Sequence, residues 1–216
     1  MSDRPSLSVD GDPWKGERID DVPEITYTTN GVPKLYRKVF IGNMSHAMNA
    51  YIGSAHGMHF LDEGIMDDAW AQANIELARE EATFAVTNEF EFDPEELAAY
   101  FARPASNSKP QHDPFTRIGN SPEKKISYDN RYIWPARMCL KHGRLPFHLC
   151  MGAAYGLLYI VNGNGAEPVE RPTNRDEVKA LVERFCGLGD EDYVVRDLVV
   201  DQYLAIPEAG IIPAAR

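Results

Sequence analysis

The residues best equipped for chemistry crowd between Lys109 and Cys150. Residues 109–148 hold eight basic side chains, Lys109, Arg117, Lys124, Lys125, Arg131, Arg137, Lys141 and Arg144, against the acidic Asp113, Glu123 and Asp129. The segment is therefore +5 inside a chain whose formal net charge is -11. A basic island in an acidic protein suits a carboxylate, a phosphate or an acidic partner surface, because the planar fork of arginine matches such groups bidentately. The same island can also pair with the acidic remainder of the fold. Within it, Tyr128, Asp129, Arg131, Tyr132 and Trp134 form the polar–aromatic mixture that lines ligand pockets and interfaces alike. His142 and His148 follow, and an imidazole titrates near neutrality, as proton transfer requires. The expected site therefore takes His142 and His148 as acid–base residues. Tyr128, Asp129, Arg131, Tyr132, Trp134, Arg137 and Arg144 would hold a small anionic or aromatic substrate.

Metal chemistry has two candidate segments. In His56-Gly57-Met58-His59-Phe60-Leu61-Asp62-Glu63 a helix would project His56, His59 and Glu63 from one face. Two imidazoles and a carboxylate are a donor set for zinc or non-haem iron. Gly57 and Gly64 favour a turn there instead, and neither H-E-x-x-H nor E-x-x-H is present. Cys139, His142, His148 and Cys150 make the second set, at no recognised metal spacing. Cys139 has the positive neighbours Arg137, Lys141 and His142, which would favour its thiolate; the alternative is an inert, buried cysteine. His112-Asp113 is a bare dipeptide in a proline-rich loop. Gly163-Asn164-Gly165 and Gly187-Leu188-Gly189 do not sit between a strand and a helix, as a phosphate loop must, and read as helix stops.

The elements that would position these residues are mostly helices. Leu35, Val39, Met44, Ala47, Met48 and Tyr51 recur at rough helical spacing, with Gly42 interrupting. A second helix is predicted from Ile65 to Thr87, with Met66, Trp70, Ala73, Leu77 and Phe84 on its inner side. A third opens with Asp93 as cap and Pro94 at its first position. A loop is expected over 104–128, then a broken helix from Asp129 to Leu145 and an apolar core helix from Phe147 to Val161. Asn174 and Glu177 form a capping box for the next helix, which Gly187 closes. Asp190–Leu204 makes the last helix, although its valines would also suit a strand.

Residues 1–33, punctuated by Pro5, Pro13, Pro23 and Pro33, predict an extended arm, with one short strand at Ile25–Thr29. Residues 205–216 predict a similar tail. The expected architecture is thus all-α, an irregular helical domain over 34–204 with two long arms.

At 44% hydrophobic and 10% aromatic the chain can build a core. Net negative charge disfavours nucleic-acid backbone and anionic membranes. Three cysteines do not make a disulfide framework, and the longest apolar run, Leu149–Val161, is too short to span a bilayer. These features point to a soluble, cytoplasmic metabolic enzyme or enzyme subunit using histidine acid–base chemistry. Two alternatives stand beside it: a non-catalytic assembly subunit, and a metal- or ligand-binding protein without turnover. A homo-oligomer or hetero-complex held by the arms is expected in either enzyme or assembly roles.

Overall fold

A computed structural model describes residues 7–19, 21–29, 31–102 and 112–207. Pro5, Pro104, Lys109, Pro110 and the end of the tail lie outside the described residues. The fold is mainly helical, as the periodicity implies. Strands β1 (Leu7–Asp10) and β2 (Ile25–Thr28) pair in parallel, Leu7 beside Ile25. The short strand at Ile25 thus has a partner that its own sequence does not announce. Trp14 packs edge-on against Tyr27, and β1 lies against α1, so the described part of the arm folds onto its own chain.

Helix α1 (Gly31–Arg37) runs through a π-helical turn, Lys38–Asn43, into α2 (Met44–Ala55). Helix α3 (Ala69–Glu89) starts where the Asp68 carboxylate accepts the Ala71 amide N–H. Helix α4 (Pro94–Ala102) starts on Asp93, whose carboxylate accepts the Glu95 amide. The predicted loop 104–128 is not all loop: α5 (Phe115–Ile118) and α6 (Pro122–Lys125) are single turns within it. Helix α7 (Ile133–Lys141) tolerates Pro135 because that residue falls in its first turn, where no amide donor is needed. Then come α8 (Phe147–Tyr159), a π-helical turn at Ile160–Asn164, α9 (Arg175–Cys186) and α10 (Tyr193–Ala205).

The core is built around α8, which is buried from Leu149 to Tyr159 and packed by α2, α3, α6, α7, α9 and α10. Close approach depends on its small residues. A Cβ at Gly152 would lie 2.5 Å from Tyr132 Cε1. The partner face of α3 is equally small: Ala71, Ile75, Ala78, Ala82, Ala85 and Val86 are buried. The predicted stripe along this segment is only partly on the core side: Trp70 and Phe84 are half-buried and pack against the core, whereas Met66, Ala73 and Leu77 are exposed.

One carboxylate ties these helices together. Glu81 of α3 is only 3% exposed. It accepts the backbone N–H of His148 at 3.0 Å and of Leu149 at 2.8 Å, and the His148 ring Nδ1–H at 2.8 Å. It thereby caps the positive end of α8 with a full negative charge. Replacing Glu81 by alanine leaves those donors buried without an acceptor. The expected cost is about 3–5 kcal/mol in urea unfolding, against less than about 0.5 kcal/mol for Glu80→Ala, an exposed carboxylate on the same helix.

Candidate functional site

Two of the candidate sets do not assemble. His56 Nδ1 lies 3.2 Å from the Asp68 carboxylate, while the Glu63 carboxylate accepts the backbone N–H groups of His59, at 2.5 Å, and Phe60, at 3.1 Å. Glu63 is spent on stabilising a turn, so His56, His59 and Glu63 do not form a donor set. Among the described residues no group of three His, Cys, Asp or Glu side chains could hold a metal ion. Cys139 is buried, its thiol faces the Glu81 carbonyl, and burial pushes its pKa up to about 12, so its basic neighbours in sequence do not make it a thiolate. Cys150 is buried and pushed up in the same way.

The predicted acid–base pair is engaged in structural work. His148 is held by Glu81 as described. His142 Nε2 lies 3.0 Å from the Glu89 carboxylate, which also takes Lys141 at 2.7 Å. Hydrogen bonds from Lys141 and then His142 hold the Glu89 carboxyl below the usual range. Of the proposed substrate residues, Arg137 stacks on Tyr128 and pairs with Asp192, and Arg144 lies near Glu80 and over the Phe84 ring. Trp134 stacks on Phe40, Tyr132 is buried with its hydroxyl donating to the Met44 carbonyl, and Asp129 is exposed.

Arg131 is different. Its Nη1 donates to the carbonyl of Asn43, 88 positions earlier, at 3.1 Å. That contact brings the basic segment to the π-helical turn at the head of α2. Phe40, Ile41, Met44, Ala47 and Met48 are buried, so the turn leaves Lys38, Gly42 and His46 exposed, with Asn43 half-buried beside them. Lys38, Asn43 and His46 thus stay at least partly open to solvent around a π-helical turn, a feature that recurs at functional sites.

Opposite this face stand α5 and α6. Asp113 is 5% exposed and accepts Arg117 Nε at 2.6 Å and Nη2 as a second, parallel bond. Its other neighbour is His46, whose Nε2 lies 3.9 Å from Asp113 Oδ2. Lys125 is 6% exposed, and its ammonium donates to the Ile118 carbonyl at 2.6 Å and to Asn120 Oδ1 at 2.9 Å. Between them Ser121 is held at φ 49°, the one non-glycine residue with positive φ among those described. Such strain is kept where surrounding structure needs it. Burial, and then the Arg131 charge, lower the Lys125 pKa to about 8. Burial also lowers the His46 pKa; Asp113 opposes this, and Arg117, Arg131 and Lys125 reinforce it. The cluster therefore offers a neutral imidazole within a field of three cations. Its surplus of positive charge suits an anion.

The basic island is thus two groups. Arg117, Lys125 and Arg131 converge on His46, whereas Arg137, Lys141 and Arg144 neutralise acids at the far end of α8. Lys124 is exposed, and Lys109 is outside the described residues.

The described residues do not build a dinucleotide site. β1 and β2 are joined without a crossover helix, and both glycine pairs follow helices instead of opening them.

A helical unit presenting a cationic, histidine-bearing face is the class defined so far. The family model described as Mannitol dehydrogenase C-terminal domain matches residues 33–200, and the chain belongs to that family. Among its relatives is mannitol-1-phosphate 5-dehydrogenase of Caldanaerobacter subterraneus subsp. tengcongensis, 28% identical over 77% of this chain and 44% of that protein. The enzyme of the same name from Thermoanaerobacter pseudethanolicus is 30% identical over 77% of this chain and 44% of its own length. The chain spans about half the length of the curated relatives it matches. Among solved structures, Pseudomonas fluorescens mannitol 2-dehydrogenase in ternary complex with NAD and D-mannitol superposes with a TM-score of 0.59 at 19% identity, covering 86% of this chain and 40% of that one. At that identity the likeness is one of fold.

The buried lysine gives a test by stability alone. Its folded pKa of about 8 lies below the ordinary 10.5, so the unfolded chain binds more protons between those values. Lys125 therefore makes stability rise as pH increases from about 8 to about 10.5. Lys125→Met should remove that part of the rise, read as urea midpoints across the interval.

Proposed function

We propose that this chain is the substrate-binding half of a hexitol or hexitol-phosphate dehydrogenase, acting on a small polyol at the face formed by the π-helical turn, α5 and α6. The observation that carries the reading is the convergence of Arg117, Lys125 and Arg131 on His46, within a stretch matched by the mannitol dehydrogenase C-terminal family. In this reading Arg131, held by the Asn43 carbonyl, binds a phosphate ester, and the nearly inaccessible Lys125 ammonium adds its positive charge from behind. The amide of Asn43 is placed to hydrogen-bond sugar hydroxyls. His46, neutral because of its lowered pKa, accepts the proton of the hydroxyl that becomes a carbonyl. Lys38, exposed on the same side, is the second titratable group facing that substrate.

A hydride acceptor is required for such a reaction. The relatives' names and the NAD-bound Pseudomonas fluorescens enzyme support a nicotinamide coenzyme, held by a unit other than the described residues. Family membership and the relatives' chemistry also favour a cytoplasmic setting, and among the described residues no helix is long and apolar enough to cross a membrane. Assembly with another unit or copy belongs to the same proposal.

Calorimetric titration of the full chain with mannitol 1-phosphate, mannitol and inorganic phosphate tests the reading. The ester should bind most tightly, and Arg131→Gln or Lys125→Met should weaken it about tenfold, near 1.4 kcal/mol each. Raising pH through about 8 should weaken it as Lys125 loses its charge. Binding of neither ester nor phosphate at about millimolar concentration overturns the proposal.

A further inference from the structure

Asp113 is the group in this site with the most complete set of constraints, and the polyol reading leaves it without a role. Its carboxylate is nearly inaccessible, so it does not itself meet a substrate. Its two oxygens are divided: Oδ1 takes Arg117 Nε, and Oδ2 takes Arg117 Nη2 while lying 3.9 Å from His46 Nε2. Arg117 is otherwise two-thirds exposed and would sample many rotamers on a single-turn helix.

The backbone around Asp113 is pinned just as firmly, by the segment that looked like a metal site in sequence. Leu61 N–H donates to the Asp113 carbonyl at 3.0 Å, and Phe115 N–H donates to the His59 carbonyl at 2.8 Å, an antiparallel bridge between Phe60 and Pro114. Glu63 closes the 59–63 turn by accepting the His59 and Phe60 amides. His112 adds a stacked contact with Phe60 at 4.0 Å and a hydrogen bond to Asp62 at 3.1 Å. His56–Glu63 supplies a strut instead of ligands.

We infer that Asp113 is the positioning residue of the site: fixed from behind by the 59–63 strut, its one carboxylate aims the Arg117 guanidinium and balances the charge on His46. The groups facing His46 are then Asp113 and Arg117 from the α5 segment, Lys125 from α6 and Arg131 from the loop before α7. Asp113 is the single anion among them. It alone opposes the lowering of the His46 pKa by burial and by the three cations. The role given to His46 rests on the polyol-dehydrogenase reading, but the electrostatic linkage does not.

The test is an NMR titration of the His46 ring in the full chain without substrate, with His46→Gln to assign the resonance. Asp113→Asn should lower the His46 pKa by about half a unit or more, because an attractive charge near 4 Å is lost and Arg117 is left uncompensated. Arg117→Gln, which removes a cation and keeps an amide to hydrogen-bond Asp113, should raise it in a protein whose fold is checked from the same spectra. Shifts of opposite sign support the inference. An unmoved His46 in Arg117→Gln, or in a folded Asp113→Asn protein, overturns it. Because no hexitol is present, failure of hexitol binding and failure of this linkage are separate results.

Discussion

A single buried anion at the head of α8 holds the architecture together. The core helix is apolar along nearly its whole length, and nothing in its own sequence can cap its first turn: Pro146 and Phe147 offer no side-chain acceptor. The amides must be satisfied from outside, and Glu81 does so from the middle of α3. Burying a carboxylate costs several kcal/mol unless charged or dipolar donors surround it. Here two amides, a helix terminus and an imidazole all point at it. That requirement fixes the register of α3 against α8, places α7 between them through Cys139 and the Glu81 carbonyl, and explains why small residues line the α3 face.

The same logic separates the two groups of basic residues. At the amino end of α8, arginines and lysines meet carboxylates at ordinary ion-pair distances, and their histidines are hydrogen-bonded to anions. At the carboxyl end, Tyr159 donates to the Phe115 carbonyl, so α5 and the His46 cluster sit a helix length away, about 20 Å. There the cations outnumber the anions, and burial lowers the pKa of both Lys125 and His46. A surplus of partly desolvated positive charge has no structural purpose of its own, whereas an anion-binding face needs it.

Local chemistry made parts of this legible in sequence. Asn174 accepts the Glu177 amide, Glu177 returns the bond to Thr173, and Gly187 ends α9 at φ 70°, all as the capping residues require. Asp93–Pro94 and the core helix were equally readable. What failed was whatever depended on partners. Helical periodicity picked out the large residues of α3, of which Trp70 and Phe84 do pack on the core, yet the fully buried face is lined mostly by alanines. β1 has no strand signal without β2 beside it. The basic segment 109–148 supplies Arg117, Lys125 and Arg131 to the proposed site, whereas proximity in sequence suggested His142 and His148 as acid–base residues. His46 was hidden because the regular 3.6-residue period does not group it with Lys38 and Asn43.

The failed metal site makes the point in chemical terms. His56, His59 and Glu63 have the right donor atoms, and sequence alone cannot reveal that a carboxylate is already saturated by nearby amides. Glycines at 57 and 64, both at positive φ, turn the chain so that Glu63 folds back on its own backbone. Once that carboxylate is committed, the segment gains stiffness at the expense of ligand capacity. The stiffness is transmitted through the Phe60–Pro114 bridge to Asp113, and from there to Arg117 and His46. A rigid turn that binds nothing thus sets the geometry of a site some fifty residues further along the chain, because an arginine on a one-turn helix has no other means of being held still.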